Sequence, residues 1–295
     1  IKFCMSFKYL LISILFVCLS SFFFAIHDSI LKFIGSSQIK WYHHLTIGAP
    51  FGLLLIISIM YFTEGLHNLF LKSYKIPLIR GILAIASPLM AFISLKYISL
   101  SIFTTLILTL PFFLVIFANL LLNEKITKNI FISLILGFAG VILIIRPGLG
   151  ELNIFIFFPI IMSAIMGFNM ILLNKYKYVA TSNTYAFYNL LIPFIFGLIF
   201  FVNDPFFPEI KYFFIIILTW INGILGLLFI TYAYHRAKSN SNKIAPYVYT
   251  QLIWAALFGA IFYNDQFNVY NITGSFLIVI CGIIVLIKKK TKELK

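Results

Sequence analysis

Apolar residues in this chain do not alternate with polar ones. They run on in blocks of about twenty, each closed by a short cluster of charged, Pro, Gly or Asn residues. At a helical rise of about 1.5 Å per residue, roughly 20 such residues cross a hydrocarbon layer about 30 Å thick. Ten segments are of about that length: Tyr9 to Ile34, Trp41 to Phe62, Ile76 to Ile98, Leu100 to Leu122, Asn129 to Ile145, Leu152 to Leu173, Thr184 to Phe201, Tyr212 to Tyr234, Ile244 to Tyr263 and Val269 to Ile287. A membrane barrel would instead show strands of about ten residues with period-two alternation. The pattern therefore predicts an all-α integral membrane fold with ten transmembrane helices. Composition agrees: with 62% hydrophobic and 10% charged residues, a chain of 295 has too little polar surface for a water-soluble fold.

A formal charge of +14 suggests nucleic acid, but the placement of the charge excludes it. With the N-terminus on the cytoplasmic side, 17 of the 22 basic residues fall in inside segments, among them Lys2, Lys8, Lys72, Lys75, Arg80, Lys125, Lys128, Lys175, Lys177, Lys238, Lys243 and the tail lysines from Lys288 onward. Glu151, Asp204, Glu209 and Asp265 fall outside. This is the positive-inside asymmetry, and it puts both termini in the cytoplasm of a bacterial inner membrane. Lys2 and Lys8 precede an apolar run as in a leader peptide. The run is too long, however, and Asp28 and Lys32 follow where cleavage would occur, so it reads as a retained helix. Cys4, Cys18 and Cys281 have no ligand-like spacing, so neither a disulfide framework nor a metal or other cofactor is expected.

The second half repeats the first at a nearly constant offset. Gly81-Ile82-Leu83 lies over Gly223-Ile224-Leu225, Lys96 over Lys238, Asn123-Glu124-Lys125 over Asn264-Asp265-Gln266, Gly140 over Gly282 and Pro50 over Pro193, all at shifts of 141 to 143. Order and spacing are kept across five segments, which predicts a duplication into residues 1–148 and 149–295. Five crossings per copy is odd, so the copies are inverted, an arrangement typical of secondary transporters with a solute site near the midplane.

Leu110-Pro111, Asn123-Glu124-Lys125, Gly137, Gly140 and Arg146-Pro147-Gly148 resemble the fourth and fifth helices of the drug/metabolite transporter superfamily, EamA branch. Ala245-Pro246-Tyr247-Val248-Tyr249-Thr250-Gln251-Leu252-Ile253-Trp254 resembles its ninth helix, above all in relatives that carry S-adenosylmethionine or riboflavin. The resemblance implies two inverted five-helix units around a central cavity. Transport would be driven by a gradient or by exchange.

No Gly-rich loop ending in Gly-Lys-Ser/Thr is present, and no His-Glu-x-x-His motif, so neither ATP-driven pumping by this chain nor zinc hydrolysis is expected and the chain does not read as an enzyme. Intramembrane ionisable groups point to the solute path, because each costs at least about 2.5 to 3.5 kcal/mol unless paired or hydrated. Asp28 and Lys32 are four apart, on one face, where a salt bridge can form beside His27. They serve either a charged substrate or a coupling proton, or else Lys32 snorkels to the headgroups and Asp28 compensates it. His43 and His44 point about 100° apart, so at most one faces a cavity. Tyr247, Gln251 and Trp254 form a stripe at i, i+4 and i+7, with Tyr249 on another side. The stripe either grips a planar metabolite or joins helices. Asn169, Trp220 and Asn222 are secondary substrate-binding candidates or, equally, polar groups that serve packing. Glu124 and Asp265 are expected to cap or gate, acids being favoured at helix N-termini.

The function these readings predict is alternating-access transport of a small organic metabolite, nucleoside-like or vitamin-like, across the lipid bilayer, with a proton or an exchange solute as partner. Amino-acid or drug export, or a non-transporting protein of transporter-like fold, are the alternatives.

Overall fold

The computed structural model describes residues 7–124, 126–145, 153–237, 244–266 and 268–289, and among them all regular structure is helical. Lys125, Arg146-Pro147-Gly148, Lys238, Lys243 and the tail lysines from Lys290 lie outside the described residues, as does the division expected at 148/149. The helices are α1 (Phe7–Gly35), α2 (Trp41–Thr63), α3 (Lys75–Ala84), α4 (Ala86–Tyr97), α5 (Leu100–Ile107), α6 (Leu110–Leu122), α7 (Lys128–Ile145), α8 (Phe157–Lys175), α9 (Ser182–Asn203), α10 (Ile210–Ala237), α11 (Thr250–Tyr263) and α12 (Val269–Lys289).

Among the described residues, eight of the expected spans are long and apolar enough to cross a membrane, with α3–α4 and α5–α6 each counting as one and α12 supplying a shorter apolar helix over Val269–Ile284. The ninth expected segment is divided. A 3-10 turn at Ala245–Tyr249 precedes α11, whose 14 residues rise only about 21 Å. The break has a counterpart in the first half between α5 and α6, where Pro111 has no N–H for the carbonyl of Ile107. Ser163 of α8 donates to that carbonyl and to Leu106 O, both at 3.1 Å, so the exposed acceptors are satisfied from a neighbouring helix.

Helix ends repeat between the halves. Asn123 and Asn264 both close a helix in the left-handed region, at φ 56 and 51. The following N–H then reaches back to Ala118 O in one case and to Gly259 O in the other, a six-residue return that satisfies a terminal carbonyl. Asp265 does cap a helix, as expected, but not the next one in sequence. Its Oδ2 accepts from the N–H of Leu100 at 2.8 Å, at the start of α5 in the other half.

Packing repeats as well. α1 lies along α10 and against α11, while α8 lies against α3–α4 and against α5–α6; α2 pairs with α9, and α7 with α12. A shift of about 142 carries each of these pairings onto another or onto itself. At the α7–α12 crossing a Cβ on Gly274 would stand 2.6 Å from Gly140 O, so the backbones touch as small residues permit. Outward faces carry large apolar side chains, such as Ile132, Ile135, Leu136 and Ile142 of α7. Such a surface suits hydrocarbon rather than water.

Candidate functional site

Where α1 crosses α10, Gly223 leaves room for the His27 ring, whose Cδ2 would be 3.2 Å from a Cβ there. His27 Nδ1 shares a hydrogen bond with Asp28 Oδ1 at 2.9 Å, and Gln251 Nε2 donates to Asp28 Oδ2 at 3.1 Å. One carboxylate thus ties α1 to the first turn of α11. With only 13% of its side chain exposed, Asp28 opens onto a cavity of about 310 Å³ between helices of both halves, lined in part by His27, His44, Ser87, Leu190 and Trp220.

The walls are mainly apolar, with a few polar atoms on them, the usual make-up of a small-molecule site. His44 is 4% exposed, and its ring stacks on that of Trp220 at an interplanar angle of 28°, with centroids 5.9 Å apart. Trp220 lies against α2 because Gly48 and Gly52 have no side chains; a Cβ on Gly48 would be 1.8 Å from the indole Nε1. Neither His44 Nε2 nor Trp220 Nε1 has a hydrogen-bond partner in the protein. Buried polar atoms without partners are uncommon. A larger groove of about 570 Å³ lies between α5, α11 and α12, but Ile253, Ile272 and Phe276 on its walls are more than half exposed, and it faces outward.

The structure separates several residues that sequence spacing groups together. Lys32 does not pair with Asp28: its Nζ donates to the carbonyls of Ile98 at 2.5 Å and Leu95 at 3.3 Å, and lies 5.3 Å over the Tyr263 ring. The free carbonyls at the end of α4 outcompete a carboxylate one turn away that already has two partners. Of the two histidines, His43 is the one turned away from the cavity. Its Nδ1 accepts from the Lys40 N–H at 3.2 Å, so the proton sits on Nε2, which donates to Asp204 O at 3.0 Å. His43 therefore closes the start of α2.

Tyr247, Gln251 and Trp254 do not form one stripe. Tyr247 lies in the 3-10 turn, which winds by about 120° per residue rather than about 100°, and this carries it onto the outer groove. Trp254 packs edge-on against Phe22 at 5.0 Å. Tyr249 is 6% exposed, with its hydroxyl 3.4 Å from Leu108 O and wedged against Gly282. Asn222 donates to Leu218 O of its own helix at 2.7 Å. Asn169 lies on the opposite flank, where its Nδ2 donates to Arg80 O at 2.9 Å and Arg80 Nε donates to Asn169 O at 3.2 Å.

Arg80 was counted above among the charges of the helix ends. It is in fact 3% exposed, its guanidinium 4.5 Å over the Tyr185 ring and its Nη1 without a partner. The signal was present in the sequence, since Arg80 is the fifth residue of the apolar segment that opens at Ile76, inside the segment as Lys32 is near the end of its own.

Electrostatics at the membrane border are simpler. The Lys40 ammonium at 2.6 Å and the Tyr42 hydroxyl hold the Asp204 carboxyl below its usual range, and Asp204 in turn raises Lys40. Burial raises the Asp265 carboxyl, with Lys32 and the Leu100 N–H opposing. Among the described residues no group of three or more His, Cys, Asp or Glu side chains gathers to hold a metal.

Comparison with known proteins adds identity to this geometry. The model of the EamA-like transporter family matches residues 11–146 and again 153–288. Two Helicobacter pylori proteins, from strains J99 and 26695 and each named an uncharacterized transporter, are 28% identical over 219 residues, covering 69% of this chain and 70% of theirs. A solved protein structure, 13% identical, aligns over 95% of this chain and 98% of its own with a TM-score of 0.61, a likeness of fold alone.

Proposed function

The chain belongs to the EamA-like transporter family, and on that premise we propose that it is a secondary transporter moving a small organic solute across the bacterial inner membrane by alternating access. Its units are residues 1–148 and 149–295, each five spans, entering the bilayer from opposite faces with both termini cytoplasmic. The observation that carries the reading is the cavity between the halves, with the Asp28 carboxylate at one side and the His44–Trp220 stack at another. The exchange of helix pairings at a shift of about 142 supports rocking of one unit against the other.

Within this reading Asp28 holds an ammonium, sulfonium or N–H group, Gln251 orients the carboxylate, and the imidazole and indole faces hold a planar body. The unpartnered His44 Nε2 supplies a hydrogen bond to it, while the indole Nε1, turned against Gly48, leaves the ring face to the solute. These demands favour a nucleoside-like or vitamin-like solute of the S-adenosylmethionine or riboflavin class. The His27–Asp28 pair offers a place for a coupling proton; exchange of solutes is the other driving force. Uptake by protein reconstituted in vesicles, with S-adenosylmethionine, riboflavin, nucleosides and amino acids as the panel, tests the proposal. Saturable uptake of at least one solute, weakened on Asp28→Asn, is expected. A folded protein that moves none of them defeats it.

A further inference from the structure

The Arg80 corner bears on what the solute looks like. A guanidinium is always charged and offers five donors, and burying one without a counter-ion is among the costliest arrangements inside a membrane protein. Arg80 has Nε on a backbone carbonyl and an aromatic face beneath it, yet Nη1 is unpartnered and the guanidinium forms no ion pair among the described residues. Its neighbour Asn169, 7% exposed, also keeps a buried Oδ1 without a partner. Neither lines the cavity itself, but residues of their own neighbourhood do. Ser87, on the cavity wall, is seven residues further along the same α3–α4 span, about 10 Å. Asn189, whose buried Oδ1 is a third orphan, adjoins the cavity residue Leu190.

We propose that Arg80, steadied by Asn169 and Tyr185, is an anion-binding station on the solute path, so that the solute carries a carboxylate or phosphate as well as the group held by Asp28. The proposal rests on the transport reading above and deepens it. In the state described here the station is closed. In the state that opens the α3–α8–α9 end it receives the anionic group, by two N–H donors of the guanidinium. Separate acid and base stations favour solutes that carry both groups over simple amines and simple anions.

The test uses matched solutes with and without a carboxylate: S-adenosylmethionine and its decarboxylated form, L-tryptophan and tryptamine, L-histidine and histamine. Uptake is measured in phosphatidylcholine vesicles, where no anionic headgroup supplies the counter-charge. The wild-type protein is expected to prefer the carboxylate member of at least one pair roughly tenfold or more in half-saturating concentration. Arg80→Gln removes the preference and leaves the amine member unchanged, and Arg80→Lys retains part of it. Should Arg80→Gln not fold, Asn169→Asp gives an independent reading: it supplies the anion from within and erases the preference. Equal losses for both members, or a wild-type preference for the amine, overturn the station while the transporter stands. A wild-type protein that moves no member of any pair defeats both.

Discussion

The corner around His27, Asp28 and Asn222 and the corner around Asn169 and Arg80 are the same place in two copies. A shift of 142 carries Arg80 to Asn222 and His27 to Asn169, and in each corner a helix that opens one half crosses a helix of the other half. The chemistry is opposite. One copy kept an acid, gave it a histidine and a glutamine as partners, and borders a cavity. The other kept a base and packed it against Tyr185 and a backbone carbonyl, with one nitrogen unmatched. Duplication thus fixed the crossing, while the charge placed on it was free to diverge. A repeated crossing can in this way carry an acidic group in one copy and a basic group in the other without building either corner anew.

Experiments can break this comparison. The largest effect is expected from Asp28→Asn, which keeps the shape and removes the charge: charge-assisted hydrogen bonds are worth about 1.5 to 3 kcal/mol, so half-saturation in vesicle uptake should rise roughly ten- to a hundredfold while the melting temperature changes little. An unchanged uptake curve would reduce the acid corner to packing. Next comes Gly48→Ala, whose Cβ meets the indole at 1.8 Å. Trp220 must turn away from α2, and a loss of about 1 to 3 kcal/mol in thermal unfolding should accompany weakened uptake. Gly274→Ala sharpens the contrast, since its clash at 2.6 Å is with the backbone of Gly140, far in sequence from both corners. It should lower stability by a similar amount and leave half-saturation unaltered.

Lys32→Met separates Lys32 from Asp28. Losing a cap on the Leu95 and Ile98 carbonyls should cost about 1 kcal/mol in unfolding, with no change in uptake. The smallest effect belongs to Lys40 and Asp204, both half-exposed. Because Asp204 is lowered in the folded state, its contribution is present above the ordinary carboxylate value near about 4 and disappears as pH falls through the lower folded value. A melting temperature that falls only slightly more on acidification for wild type than for Asp204→Asn, and less so in high salt, is the expected result.

Much of the fold was legible in the sequence because its causes are local. Block length gives spans and the offset near 142 gives the repeat, whereas the left-handed caps at Asn123 and Asn264 and the break before Pro111 came from the structure. The candidate site was legible only in part. Asp28, His44 and Trp220 do line one cavity, and Gln251 reaches the first of them. Lys32, Tyr247 and Trp254 do not, because the direction of each depends on a carbonyl, a 3-10 turn or a Phe22 ring supplied by the rest of the structure.

By itself, then, the sequence determined that this chain lives in a bilayer as two related sets of helices, since hydrophobic length and repetition are properties of a linear string. Which of two adjacent histidines faces the cavity, and that a basic residue counted with the helix ends is buried without a counter-ion, only the tertiary structure decided. The reason is physical: rotation about a helix axis and the choice among competing hydrogen-bond acceptors are settled by neighbours that lie 66 to 223 residues away in the chain.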